Sequence, residues 1–400
     1  MSEFTNHREE RISRFTALYH AIADKKDASS AIRDNQELIL SVTPADVIRA
    51  VDSLVKESIP VSELKTGINK FLNVLFRPLS EFSSQPPASD SFLDCCVRNN
   101  RELEKRLKQG RGKIRAFNRD PGSEEIRSEL LMLITELTRF MTYYQIKENT
   151  LFPLLEQKWP DYRCLGVMWS FHDDIRKNLE ALRSLLSCSG AVDLPRFNRL
   201  IGDLYFNMSA IRFREERILF PVAEATIGRE ELDALLPESL QIGFPYFTPE
   251  ISLTNNSILT GSDGTSVDLG TGSLTAEQIA LLFNNLPVDI TFVDENDKVR
   301  YFSSPAHRIF PRTKAILGRD VTNCHPPESI HVVKKIVEKF REGKKNEASF
   351  WIRMKEQLIL IRYFAIRDSR GNYKGVMEVS QEVSDIRQLD GQKRLLDWDE

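Results

Sequence analysis

Apolar residues recur at three- and four-residue steps through most of the first 230 positions. In "RISRFTALYHAI", Ile12, Phe15, Leu18, Tyr19 and Ile22 fall on one helical face. "TPADVIRAVDSLVKES" repeats the stripe with Val47, Ile48, Val51, Leu54 and Val55, and Thr43 and Pro44 supply an N-cap and a first helical residue. "IPVSELKTGINKFLNVLF" predicts a third helix. "SSQPPASDS" interrupts the pattern, because Pro86 and Pro87 cannot sit in a helix interior, and marks a domain boundary.

Four longer helical stretches follow, from Phe92 to about Ala234, separated by Asp120-Pro121-Gly122, Trp159-Pro160-Asp161 and Ser189-Gly190. Short connections between four amphipathic helices predict an up-down bundle. "KENTLFPLLE" and "EERILFPVAE" repeat one phrase at an offset of 68 residues, so the second and fourth helices should run parallel, as one helical hairpin doubled. Residues 248–273, poor in charge and rich in Ser, Thr, Asn and Gly, predict a linker or loose hairpin, after which "TAEQ" from Thr275 has capping-box spacing and opens a short helix.

Beyond it the period changes to two. "VDITFVDEND" and "VRYFSSPA" read as strands joined at a turn, "PPESIHVVKKIVEKFREG" as a helix, and "ASFWIRM", "LILIRYFAIRD" and "YKGVMEVSQEV" as three more strands. That order predicts a five-stranded antiparallel sheet with helices on one face.

Composition narrows the function. With 55 basic and 58 acidic residues there is no basic excess of the kind that marks a nucleic-acid face. The N-terminus has no apolar core of a signal peptide, and no run is long and apolar enough to span a membrane. Five cysteines without a C-x-x-C pair argue against a disulfide framework and for a reducing cytoplasm. The chain carries no Gly-rich phosphate loop, no G-x-S-x-G and no H-E-x-x-H, which disfavours the common motif-bearing enzymes.

Glu148 and Glu216 each lie four residues before the phenylalanine of a Leu-Phe-Pro, so each is expected on the core face, and the third helix adds His172. Glutamate and histidine converging in an apolar bundle suit iron, manganese or zinc. The same residues have a second reading, in which the acids are solvated or paired with Arg212, Arg214 and Lys147 and His172 is a hydrogen-bonded core residue. An acid buried without a partner costs roughly 2–7 kcal/mol, more if charged, so something must satisfy it.

The doubled E-x-x-L-F-P phrase and "VMWSFHDDIR" resemble the hemerythrin-like cation-binding bundle of bacterial proteins. Residues 8–82 resemble the helical domain of unknown function that precedes it, and "LPVDITFVDENDKVRYFS", "GRDVTNCHPPES" and "EASFWI" are similar to the PAS domain that follows it. The resemblance implies a multidomain chain. An all-α helical domain occupies 1–85 and a four-helix hemerythrin-like bundle 86–236; a linker at 237–273 leads to an α+β PAS sensor domain at 274–395. Carried over by position, the metal candidates are Glu148, His172 and Glu216. Tyr143 stands in "YYQIKEN" where the family has a histidine, and Asp94 is the other substitute. A single histidine favours a degenerate or metal-free site over one metal, and one metal over an oxygen-carrying pair.

In the PAS region Phe292, Tyr301, Phe310, Phe350, Trp351 and Phe364 are expected to pack the core. His331 lies near the place where some oxygen-sensing PAS domains hold haem, and His325 in "CHPPESIH" is the other candidate; the plainer alternative is a turn before the helix and an exposed His331. Candidate cofactors are thus iron in the bundle and haem or a small metabolite in the PAS domain. Since only "DIRQLDGQKRLLDWDE" follows, output should pass to another protein or to the helical modules, and PAS analogy suggests a homodimer. The expectation is a cytoplasmic sensor or regulatory protein that responds to metal, gas or redox state. The alternative is an iron-dependent metalloprotein acting on oxygen or nitric oxide species or in iron–sulfur repair.

Overall fold

A computed structural model of the chain describes residues 2–24, 28–188, 190–249, 266–354 and 356–391. Most of the expected 248–273 linker and the end of the C-terminal charged segment lie outside these residues. The chain forms two compact units, one of Met1–Leu253 with Pro326–Glu328 and a second of Thr254–His325 and Ser329–Glu400.

The first unit is helical. Helices Ser2–Ala23, Ala28–Asp34, Gln36–Leu40, Pro44–Lys56 and Val61–Glu81 come first. Thr43 caps as its sequence predicts. Its hydroxyl accepts from the Asp46 N–H at 3.3 Å, and the Thr43 N–H donates to the Asp46 carboxylate at 2.9 Å. The Ser2–Ala23 and Val61–Glu81 helices approach closely because Gly67 has no side chain: a Cβ there would lie 2.2 Å from the Tyr19 hydroxyl.

Next come four long helical stretches. Phe92–Arg119 is the first and Cys164–Ser187 the third. The second runs from Glu124–Arg139 through Met141–Ile146, a π-turn at Lys147–Leu151, and Phe152–Lys158. The fourth runs from Leu194–Arg214 through a π-turn at Glu215–Leu219 to Phe220–Thr226. Cross-helix pairs give the directions. Arg106 meets Glu136 while Lys113 meets Glu129, so the first two helices are antiparallel. Asn118 meets Asn198 while Asn100 meets Glu215, so the first and fourth are antiparallel as well. The second and fourth therefore run parallel, as the repeat requires. One buried core extends from Phe15 to Phe244, so the N-terminal helices and the four long ones share it.

The second unit opens with a short antiparallel hairpin, β1 (Ser266–Asp268) and β2 (Ser273–Thr275), and the helix Ala276–Asn285. Thr275 and Gln278 close a capping box there. Strands β3 (Asp289–Asp294), β4 (Val299–Phe302), β5 (Glu347–Met354), β6 (Gln357–Arg367) and β7 (Tyr373–Glu382) form one antiparallel sheet in the order β4-β3-β7-β6-β5. Helix Ile330–Arg341 lies on it, and its Val337 and Phe340 pack with Val376. At β7, Gly375 takes φ +136°, and a Cβ there would lie 2.0 Å from the Val293 carbonyl oxygen, so only glycine allows β3 and β7 to pair closely. The aromatic residues expected in this core divide. Phe350 and Trp351 sit on the edge strand and are exposed, Trp351 by 71%, because β5 has a neighbour on one side only.

Candidate functional site in the helical unit

The two π-turns stand at equivalent places in the doubled phrase, each just before its Leu-Phe-Pro proline. The proline ring removes an N–H and crowds the carbonyl four residues back. The bonds shift accordingly: the Phe152 N–H donates to the Lys147 carbonyl and the Phe220 N–H to the Glu215 carbonyl, each five residues back. Among the charged residues of these turns, Lys147 and Glu215 are the most deeply buried, both 0% exposed.

There they pair. The Lys147 ammonium donates to Glu215 Oε1. Glu215 Oε2 accepts from the Tyr143 hydroxyl at 2.8 Å and from Asn100 Nδ2 at 3.0 Å. Three donors on one carboxylate suit its ionised form. The ammonium also lies 4.6 Å from the ring centres of Tyr143 and Tyr144, within cation–π range. Burial pulls the Lys147 ammonium well below the ordinary lysine pKa, against the raising influence of Cys96 and Glu148. Burial likewise pushes the Tyr143 phenol well up.

The remaining side of the network is built on His172. Its Nδ1 donates to Glu148 Oε1 at 2.8 Å, since a carboxylate only accepts. Neutral imidazole then turns its Nε2 lone pair to the Lys147 ammonium, 3.3 Å away. The ring stacks on Tyr144, with centroids 4.1 Å apart and planes at 6°. Burial first, then the Lys147, Arg176 and Arg214 charges, hold the His172 pKa well below its usual value, which keeps it neutral. Glu148, 4% exposed, is gripped by Arg176 Nη2 at 2.8 and 2.7 Å.

The expected metal donors are thus not gathered. Glu148 and His172 meet. Glu216 is half-buried, with its Oε1 buried, and lies 3.9 Å from Arg212. Tyr143 reaches Glu215 instead. Asp94 is at the first turn of its helix, where it accepts from the Asp90 N–H and pairs with Arg98 at 2.8 Å. For Glu216 the cause is local. At the second π-turn Glu215, five residues before the phenylalanine, takes the inner place, whereas at the first both Lys147 and Glu148, five and four residues before it, are buried. A metal ion does not fit these residues. The imidazole nitrogen that would bind it faces a buried ammonium, and the glutamate beside it is held by a guanidinium. Among the described residues no group of three or more His, Cys, Asp or Glu side chains is placed to hold a metal.

Sequence reasoning named Lys147 only as a neutralising neighbour and passed over Glu215, Asn100 and Arg176. A usable signal existed: the 68-residue offset that aligns Glu148 with Glu216 also aligns Lys147 with Glu215, residues of opposite charge.

In the second unit, His325 donates Nδ1–H to the Val321 carbonyl at 2.8 Å and faces a cavity of about 20 Å³ beside Tyr363 and Glu378. That is room for about one water, so haem does not fit it. Burial lowers the His325 pKa, with Glu378 opposing. His331 is exposed at the first turn of its helix. The two histidines therefore do not face one pocket.

Residues 279–384 match the family model described as a PAS domain, and this part of the chain is a PAS domain. Among solved structures, the chain is similar to a C-terminal domain from Streptococcus mutans, at 33% identity over 32% of this chain and 100% of that one, with a TM-score of 0.31. It is also similar to the PAS domain of a protein from Colwellia psychrerythraea, at 16% identity over 27% and 97% of the two chains, TM-score 0.23. A sensory box sensor histidine kinase from Vibrio cholerae is 13% identical over 26% and 88%, TM-score 0.21. A comparison with curated proteins gives no match. Among the described residues no helix is long and apolar enough to cross a membrane.

Proposed function

We propose that the chain is a sensory or regulatory protein whose PAS domain receives a signal and whose output passes through protein contacts. The PAS match over residues 279–384 carries this reading. It is supported by exposed apolar residues of the second unit, notably Leu281, Leu282 and Leu286 around the capped helix and Trp351 on the edge strand, a density of apolar surface that suits a protein partner. The helical unit, in this proposal, is a hemerythrin-like bundle in which an internal ammonium has taken the place of the metal ion. It would therefore respond through packing and charge rather than through bound iron, and the iron-dependent reading of the sequence loses its donor set.

The test is cross-linking in the host cell, with a photoreactive residue at the exposed position 351. One recurring partner is expected, and its yield should change when His325→Leu alters the PAS cavity. A partner captured equally well by both forms, or none, would remove the sensory reading.

A further inference from the structure

Strand β5 ends the sheet on one side, with β6 its neighbour on the other. The Ala365 N–H donates to the Asn346 carbonyl at 2.9 Å, which sets the phase of the ladder. By antiparallel alternation Ala348, Phe350 and Ile352 bond to β6. Ser349, Trp351 and Arg353 turn their N–H and C=O outward, where no strand among the described residues meets them. Edge strands are ordinarily blunted by a charge, a proline or a bulge. Residues 349–352 carry none of these: they are uncharged and pair in unbroken register, with Phe350, Trp351 and Ile352 all exposed.

The side chains alternate in the same phase. Ala348 and Phe350 face the helix Ile330–Arg341 and wall, with it, an open groove of about 660 Å³, and Trp351 stands on the opposite face. The groove has a cationic rim. His331, Lys335 and Lys339 follow at four-residue steps along the helix, and Lys344 and Lys345 lead into β5. Among the described residues that line it, Glu347 is the one carboxylate. Glu342 beside the groove pairs with Lys339 at 3.1 Å and Lys344 at 2.9 Å. Lys335 and Lys345 are exposed and have no ion pair among the described residues.

An open strand edge beside unneutralised ammonium groups matches an extended acidic chain. We propose that β5 takes up an added antiparallel strand from a partner protein, in which acidic residues alternate with apolar ones. Its main chain pairs with Ser349, Trp351 and Arg353. Its acidic side chains fall on the helix side and meet Lys335 and Lys345, while the apolar ones fall beside Trp351. A second copy of β5 fits poorly. Antiparallel self-pairing would set both lysine rims on one face of the joined sheet, and Ala348, Phe350 and Ile352 bring no acid to either. The inference rests on the reading that output passes through protein contacts, and it names the chemistry of the partner.

The test is a fluorescence-anisotropy titration of the full chain with the dye-labelled heptapeptides EVEVEVE and KVKVKVK. EVEVEVE should saturate, and KVKVKVK should bind about tenfold more weakly or worse. In the antiparallel pair, the amides aimed at β5 belong to the residues beside Trp351, which are the valines. N-methylating the valines should therefore weaken binding about tenfold or more, and N-methylating the glutamates by about threefold at most. Lys335→Glu/Lys345→Glu alters two exposed side chains and should reverse the preference between the peptides. No saturable binding of EVEVEVE, equal affinity for KVKVKVK, or equal loss on methylating either set would each overturn the proposal. Dimerisation of the chain that EVEVEVE does not compete away would give the edge to a second copy and overturn it too. A partner still captured through position 351 after such a failure would leave the sensory reading standing, so the two fall separately.

Discussion

Lys147 and Glu215 occupy the same place in two copies of one phrase, 68 residues apart, and meet inside the bundle as an ion pair with no exposed side-chain area. A duplicated hairpin would ordinarily bring like residues face to face across its axis. Here one copy carries an ammonium and the other a carboxylate, so the duplication supplies its own counter-ion. Such a pair is weak evidence of stability by itself, because both charges have left water, but its partners depend on one another.

Removing one partner should therefore be far worse than removing both. Lys147→Met is expected to cost about 3–5 kcal/mol, because it leaves Glu215 charged and buried. The double variant Lys147→Met/Glu215→Leu should recover most of that loss. Urea unfolding of the three proteins, followed by helical circular dichroism, checks it. A double variant no better than the single one would mean that the two residues are not energetically coupled.

His172 makes a pH prediction of definite sign. Its folded pKa is depressed, so in acid the unfolded chain takes up a proton that the folded chain refuses. Stability should fall as pH drops below about 6.5, by at most about 1.4 kcal/mol per pH unit for this one proton. His325 adds a drop of the same sign from the PAS domain. His172→Asn should make the acid limb shallower while leaving the His325 share. Denaturation midpoints of wild type and variant on both sides of pH 6.5 decide it, and parallel pH profiles would refute the assignment.

Gly375→Ala should damage the PAS domain and spare the helical unit. The backbone at this position is left-handed, and the added methyl group would meet the Val293 carbonyl. A loss of about 2 kcal/mol or more is expected, the usual range for strain combined with a clash. Hydrogen exchange should show β3 and β7 amides losing protection while amides of the Cys164–Ser187 helix keep theirs. Unchanged protection in β3 would show that the strand pair can absorb a side chain.

The strand alternation, the Thr43 cap, the Thr275 capping box and the parallel second and fourth helices could all be read in the sequence. Each depends on contacts between near neighbours, or on a repeat that is visible as text. The interior of the bundle was read one residue out of register at Glu216, because a proline-driven π-turn changes the angular count without changing the letters. His172 was legible as an inward residue. Lys147 was not, since lysine is rarely buried and only the opposing Glu215 makes it tolerable. The exposure of Phe350 and Trp351 was hidden for another reason: alternation identifies a strand but not which strand will be left at the sheet edge.

In the reading proposed above, the cation at the heart of the helical unit is the Lys147 ammonium and not a metal. Elemental analysis of the full chain, from cells grown with added iron, manganese and zinc and then dialysed, tests it most directly. We predict no stoichiometric metal and a colourless protein. A metal ion retained by every chain, and lost on Glu148→Gln or His172→Leu, would contradict the account.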